Sequence, residues 1–192
     1  MIVNRSSPLD VRRVAKALAA CPQLWRDDVE HRADERVHLR LAQVGGWEAW
    51  LITWPTGHGV DLHDHGGSFG ALAVVEGTLT EVVARTAPGL RHPALTHRTL
   101  AAGTVRRVPG SRIHDVLNVG PAPATSIHVY APALATMTFF DDDLTPVGTR
   151  RVFPEVPLRD AATVLDGLGD LGPLAPQARA RAGARTRSRS RA

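Results

Sequence analysis

Cysteine is nearly absent from this chain: of 192 residues only Cys21 carries a thiol. A single cysteine forms no intramolecular disulfide and builds no thiolate cage, so a bound metal would have to rely on nitrogen and oxygen ligands. A reducing compartment is the matching expectation. Long apolar runs are missing as well. No stretch approaches the roughly 18 apolar residues needed to cross a bilayer, and MIVNRSSPLDVRR at the start lacks the apolar core of a secretion signal. A soluble, cytoplasmic protein is expected.

Acids are missing from residues 176–192 (PQARARAGARTRSRSRA), which hold six arginines. The formal net charge of +4 belongs to this stretch, because the rest of the chain carries 17 basic and 19 acidic residues. Arginine alternating with Ala, Gly, Ser and Thr buries too little surface to fold, so a disordered tail is expected. The tail also lacks aromatics on which bases could stack, and a nucleic-acid partner is not expected. No internal repeat is evident.

The 43% of hydrophobic residues suit one domain with a real core. Ser7-Pro8-Leu9-Asp10 reads as a helix start, with Ser7 as N-cap, followed by an apolar stripe of Val11, Val14, Ala15, Leu18 and Ala19. A second short helix is expected after Pro22. From Val37 onward the pattern changes to about ten short runs rich in β-branched and aromatic residues, broken by Gly and Pro turns. They run from Val37–Gln43 through Trp47–Trp54, Gly59–His65 and Ala71–Glu76 to Thr125–Tyr130 and Met137–Asp141. This pattern predicts an all-β double-sheet jelly roll. The expected organisation is a helical segment over 1–34, a barrel over 35–156, a short helix over 157–172 and the Arg-rich tail over 173–192.

His63-Asp64-His65 carries the most chemistry. In an extended strand, side chains two residues apart share a face, so both imidazoles can chelate one ion. The pair follows a turn-rich loop and precedes Gly66-Gly67-Ser68-Phe69-Gly70, where glycines let backbones approach closely. A third histidine, His114, lies in another strand-like run. Three neutral imidazoles would leave the full charge of a divalent ion to attract anions, but they do not choose the metal. Zinc also takes three histidines, and iron often takes two with a carboxylate. Ser126, His128 and Tyr130 fall on one face of a further run, with Ile127 and Val129 behind, and a buried polar row must satisfy itself by mutual hydrogen bonds.

The stretches LHDHGGSFGALAVVEGTLTE, IHDVLNVG and SIHVYAPALATMTFFD resemble the cysteine dioxygenase family of the cupin superfamily, bacterial type, in order and spacing over roughly residues 35–142. The resemblance implies a cupin-type double-stranded barrel that binds iron(II) through His63, His65 and His114. It also implies Ser126, His128 and Tyr130 as a catalytic relay. Family members grip the substrate carboxylate with an arginine ahead of a Trp-containing strand. Arg36-Val37-His38-Leu39-Arg40-Leu41-Ala42 matches that pattern, with Arg40 as the expected grip, Trp54 as a pocket wall and Tyr130 also touching substrate. The implied activity is oxidation of L-cysteine by dioxygen to cysteine sulfinic acid, in a monomer. Two rival readings are a dioxygenase for another small thiol such as 3-mercaptopropionate and a non-catalytic metal-sensing cupin.

The chain departs from the family in three places. Gly70 stands where animal members have a cysteine crosslinked to the active-site tyrosine, so the Tyr130 phenol should be free. No glutamate follows His65 at the position of the general cupin ligand, which disfavours a four-ligand manganese site. Ala131-Pro132 replaces the usual Ser-Pro.

Overall fold

The computed structural model describes residues 10–44, 46–86, 92–152 and 161–168. Helix α1 (Val11–Ala19) begins after Asp10, which occupies its N-cap position. The expected start at Ser7 and Pro8 lies outside the described residues, as does the Arg-rich tail. After Pro22 the chain forms two single 3-10 turns, Pro22–Leu24 and Arg26–Asp28, where a short helix was expected. Helix α2 spans Ala161–Leu168.

Eleven strands follow α1, one more than the sequence pattern indicated: β1 (His38–Val44), β2 (Trp47–Trp54), β3 (Gly59–His63), β4 (Phe69–Glu76), β5 (Thr78–Arg85), β6 (Ala94–Ala101), β7 (Val105–Val108), β8 (Ile113–Leu117), β9 (Ala124–Ala131), β10 (Thr136–Phe140) and β11 (Pro146–Arg151). The unexpected one is β11. Its six residues are all exposed, and it carries no hydrophobic alternation that would announce a strand. The strands form two antiparallel sheets, ordered β1-β2-β9-β4-β7 and β11-β10-β3-β8-β5-β6. This is the all-β, cupin-type double-sheet architecture that was expected.

The first sheet is covered on both faces, which explains why β2 is buried at every residue. Trp50, Ile52 and Trp54 face the barrel interior with Leu72, Val74, Leu79, Leu100 and Val116. Ala49, Leu51, Ala71, Ala73, Ile127 and Val129 face outward against Val11, Val14, Ala15 and Leu18 of α1 and against Trp25. Three of those outward positions are alanine, so the helix can lie close to the sheet. With the outer face sealed by α1, the inner face of β9 is free to present polar groups to the barrel. Its neighbours are fixed by register: Trp50 opposite His128, Ile52 opposite Ser126 and Gly70 opposite Tyr130.

Candidate metal centre

His63 closes β3, and His114 sits directly opposite it on β8. The sequence pattern placed His65 in the same strand, but β3 ends at His63 and His65 follows in the turn. The two imidazoles therefore converge because the backbone bends. Asp64 makes the bend: its amide donates to Thr138 O at 2.9 Å, and its carboxylate accepts from the amides of Gly66 (3.0 Å) and Thr138 (3.2 Å). Gly66 then takes φ +57 against Thr136, where any Cβ would lie 2.9 Å from the Thr136 carbonyl oxygen. Only glycine accommodates both the left-handed backbone and that contact.

The ligand atoms of His63, His65 and His114 lie within 4.8 Å of one another, and the residues are 2–4% exposed. Burial first, and the neighbouring imidazoles second, push His63 down to about 3 and His65 down to about 2, so both stay neutral with free lone pairs. The distal nitrogens differ in their partners. His63 Nδ1 donates to Asp61 O at 2.8 Å, while His114 Nδ1 faces the Glu81 carboxylate at 3.2 Å. In each case the hydrogen is fixed on Nδ1, which leaves Nε2 to face the common centre. This donor set fits a divalent ion of the kind that imidazole binds.

Glu81, on β5, was not singled out from the sequence. It is fully buried, with Arg98, Arg106 and Arg112 at 3.7–3.9 Å. Burial pushes its carboxyl up, but the His114 hydrogen bond and the arginine charges outweigh that, and the net shift is downward. A usable signal was present: Glu81 shares parity with inward-facing Leu79 and with Val83.

On the facing sheet, Trp54 Nε1 donates to Ser126 Oγ (2.8 Å), Ser126 Oγ meets His128 Nε2 (2.9 Å), and His128 Nδ1 meets Tyr130 Oη (3.1 Å). The indole can only donate, and this fixes the direction of the chain. Ser126 accepts from Trp54 and passes its own hydrogen to His128 Nε2. His128, which burial pushes down to about 3, is neutral and carries its hydrogen on Nδ1, donating to the phenol oxygen. The reverse order would leave the hydroxyl hydrogen of fully buried Ser126 without a recorded acceptor. The phenol hydrogen of Tyr130, the chain's one tyrosine, is thereby left for the cavity. Burial and the charge of Glu48 push this phenol up, so it stays a donor. Its ring centroid lies 4.9 Å from that of His65. A Cβ at Gly70 would stand 3.2 Å from Tyr130 Cε1, next to the phenol oxygen's carbon.

His63, His65, His114, Trp54, His128 and Tyr130 line one cavity of about 290 Å³, together with Arg36, Trp50, Phe139, Arg150 and Arg151. Arg40 is not part of it. Its guanidinium is buried with Gln43 (2.7 Å) and Glu48 (3.8 Å) and stacks on Trp50. Arg36, four residues earlier, faces the cavity in its place, with its Cζ 4.9 Å above the Trp54 ring. Desolvation lowers its pKa, against the opposing pull of Asp115. Among the described residues no helix is long and apolar enough to cross a membrane.

The family model for cysteine dioxygenase type I matches residues 3–143. Cysteine dioxygenase type 1 of Rattus norvegicus and that of Mus musculus are each 30% identical to this chain over 101 residues, 50% of the chain and 50% of either relative. The chain thus spans about half the length of the curated relatives it matches. A cupin superfamily protein of Desulfitobacterium hafniense resembles it at 15% identity and a TM-score of 0.46, over 56% of this chain and 87% of that one. With the family's model matched across most of its length, this chain belongs to the cysteine dioxygenase type I family.

Proposed function

We propose that this protein is an iron(II)-dependent thiol dioxygenase that converts a small thiol carboxylate, L-cysteine in the first instance, to its sulfinic acid. The reaction balances without an external reductant: the S–H bond breaks, two S–O bonds form, and the sulfur gives up the four electrons that dioxygen takes. The observation that carries this reading is the convergence of three buried imidazoles on one point facing a phenol that accepts from His128.

A ferrous ion held by His63, His65 and His114 would supply Lewis acidity to deprotonate the thiol, together with the one-electron chemistry that dioxygen requires. The chain's own residues do the rest. Arg36 receives the substrate carboxylate in its planar fork, a geometry that lysine cannot reproduce. Trp54 and Phe139 wall the cavity and limit water. Tyr130 donates its hydrogen bond to the reacting end of the substrate, and His128 holds the phenol oriented from behind. The Arg36 placement favours carboxylate-bearing thiols, so 3-mercaptopropionate is the second candidate after cysteine.

The test is oxygen consumption with sulfinate detection, using anaerobically iron-loaded protein and cysteine, 3-mercaptopropionate and cysteamine in turn. Turnover is expected with the two carboxylates. No turnover with any thiol would sink the enzyme reading. His114→Ala should abolish stoichiometric iron binding, and its retention would refute the three-histidine site.

A further inference from the structure

We propose that Arg150 and Arg151 form a second anion-binding subsite on this cavity, across from Arg36. The protein then favours thiols carrying two acidic groups over their one-acid counterparts. The substrate part of this inference rests on the dioxygenase reading; the subsite does not.

The cavity's charge is more than one carboxylate requires. Three arginines line it, and among its described lining residues there is no Asp or Glu. Arg36 comes from the segment ahead of β1, on the wall that carries the Ser126-His128-Tyr130 row. Asp61 and Asp115 act on it electrostatically, though neither lines the cavity. Arg150 and Arg151 come from the opposite wall, on β11, the outer strand of the metal-bearing sheet. Consecutive strand residues face opposite ways. Arg150 and Val152 share the inward parity, and Arg151 between them meets the cavity at its rim.

Position agrees with this assignment. Arg150 Cζ sits 4.9 Å from the Phe139 ring, whose centroid is 6.1 Å from that of His63, so its guanidinium lies on the ligand side of the cavity. Arg36 stacks on Trp54, whose ring is 6.0 Å from that of His128. A bound thiol would therefore meet cations on both sides. Among the described residues no ion pair is recorded for Arg150 or Arg151, and two adjacent like charges are relieved by an anion bound between them.

Mercaptosuccinate and 3-mercaptopropionate make a matched pair, differing by one carboxylate on the carbon that bears sulfur. With iron-loaded full-length protein, kcat/KM is expected to favour mercaptosuccinate by roughly tenfold or more, the scale of one charge-assisted hydrogen bond. The double variant Arg150→Met, Arg151→Met should erase that preference and leave 3-mercaptopropionate within about twofold of its original value. Both residues are exposed on an edge strand, so the variant keeps its fold. Arg107→Met, an exposed arginine on the other sheet paired with Asp10, controls for the loss of a surface cation and should change neither substrate. Calorimetry with succinate and propionate reads the subsite without turnover: succinate should bind more tightly, and only while Arg150 and Arg151 are present. Equal kcat/KM for the two thiols, or a preference that survives the double variant, overturns the inference while leaving the dioxygenase reading intact. Arginine-dependent succinate binding with no thiol oxidised would overturn the dioxygenase reading and uphold the subsite.

Discussion

Replacing Glu81 by glutamine tests whether an outer carboxylate sets the strength of the metal site. The side chain keeps its size and still offers an oxygen to His114 Nδ1 at the 3.2 Å position, but the charge is gone. A charge-assisted hydrogen bond is about twice as strong as a neutral one, and losing such a partner behind a histidine ligand typically costs 10–100-fold in metal affinity, or about 1.4–2.7 kcal/mol. The effect on the metal-free fold should be smaller than the ~3–5 kcal/mol of breaking a fully buried ion pair. Arg98, Arg106 and Arg112 are 17–40% exposed and can turn toward water, which brings the expected loss to about 1–2 kcal/mol. The assay is an anaerobic chelator competition for ferrous ion at neutral pH, with urea unfolding of the metal-free protein alongside. Iron affinity within twofold of the original in a folded variant would refute the reasoning. So would an equal loss on replacing an exposed glutamate such as Glu35.

Arg36→Met should raise KM for cysteine and 3-mercaptopropionate by roughly tenfold or more and leave cysteamine unchanged, whereas Arg40→Met should act mainly on stability; steady-state kinetics with the three thiols decides between them. Trp54→Phe removes the donor that fixes the hydrogen-bond direction and should lower kcat roughly tenfold with iron content unchanged, so normal kcat would contradict the one-way chain. His128 titrates at about 3 when folded against about 6.5 unfolded, so the unfolded chain binds the extra proton between those values and stability falls as pH drops below 6.5. Between pH 7.5 and 5.5 the original protein should lose about 1.4 kcal/mol more than His128→Gln, read from urea midpoints; parallel curves would show that His128 is not held neutral.

Strand alternation made most of the barrel legible, and β2 has the bounds its sequence suggested, because apolar parity and Gly or Pro turns coincide there. The Ser126-His128-Tyr130 row was readable for the same reason. The sequence was less informative wherever position depends on backbone bending. His65 converges on the site through the Asp64 turn, which no periodicity encodes. Arg36 and Arg40 have identical parity, and only the fold shows that Arg36 stacks on Trp54 while Arg40 is taken up by Gln43 and Glu48. The strand β11 has neither burial nor alternation, so the arginines it brings to the cavity rim were invisible before the fold was known.

The ligands His63 and His114 stand on one sheet, and the hydrogen-bond row stands on the other. In the proposed reaction, metal chemistry and proton positioning would thus belong to separate slabs, their spacing set by the filling between them rather than by either set of residues. Thinning that filling, as Leu79→Ala would at a cost of about 2–5 kcal/mol, should let the slabs drift while each keeps its own geometry. Such a protein would still bring its three histidines together and still order its phenol, yet the two would no longer meet at the range the proposed reaction needs. Under the proposed function, the barrel's apolar interior would then act as a spacer that sets one half of the chemistry against the other.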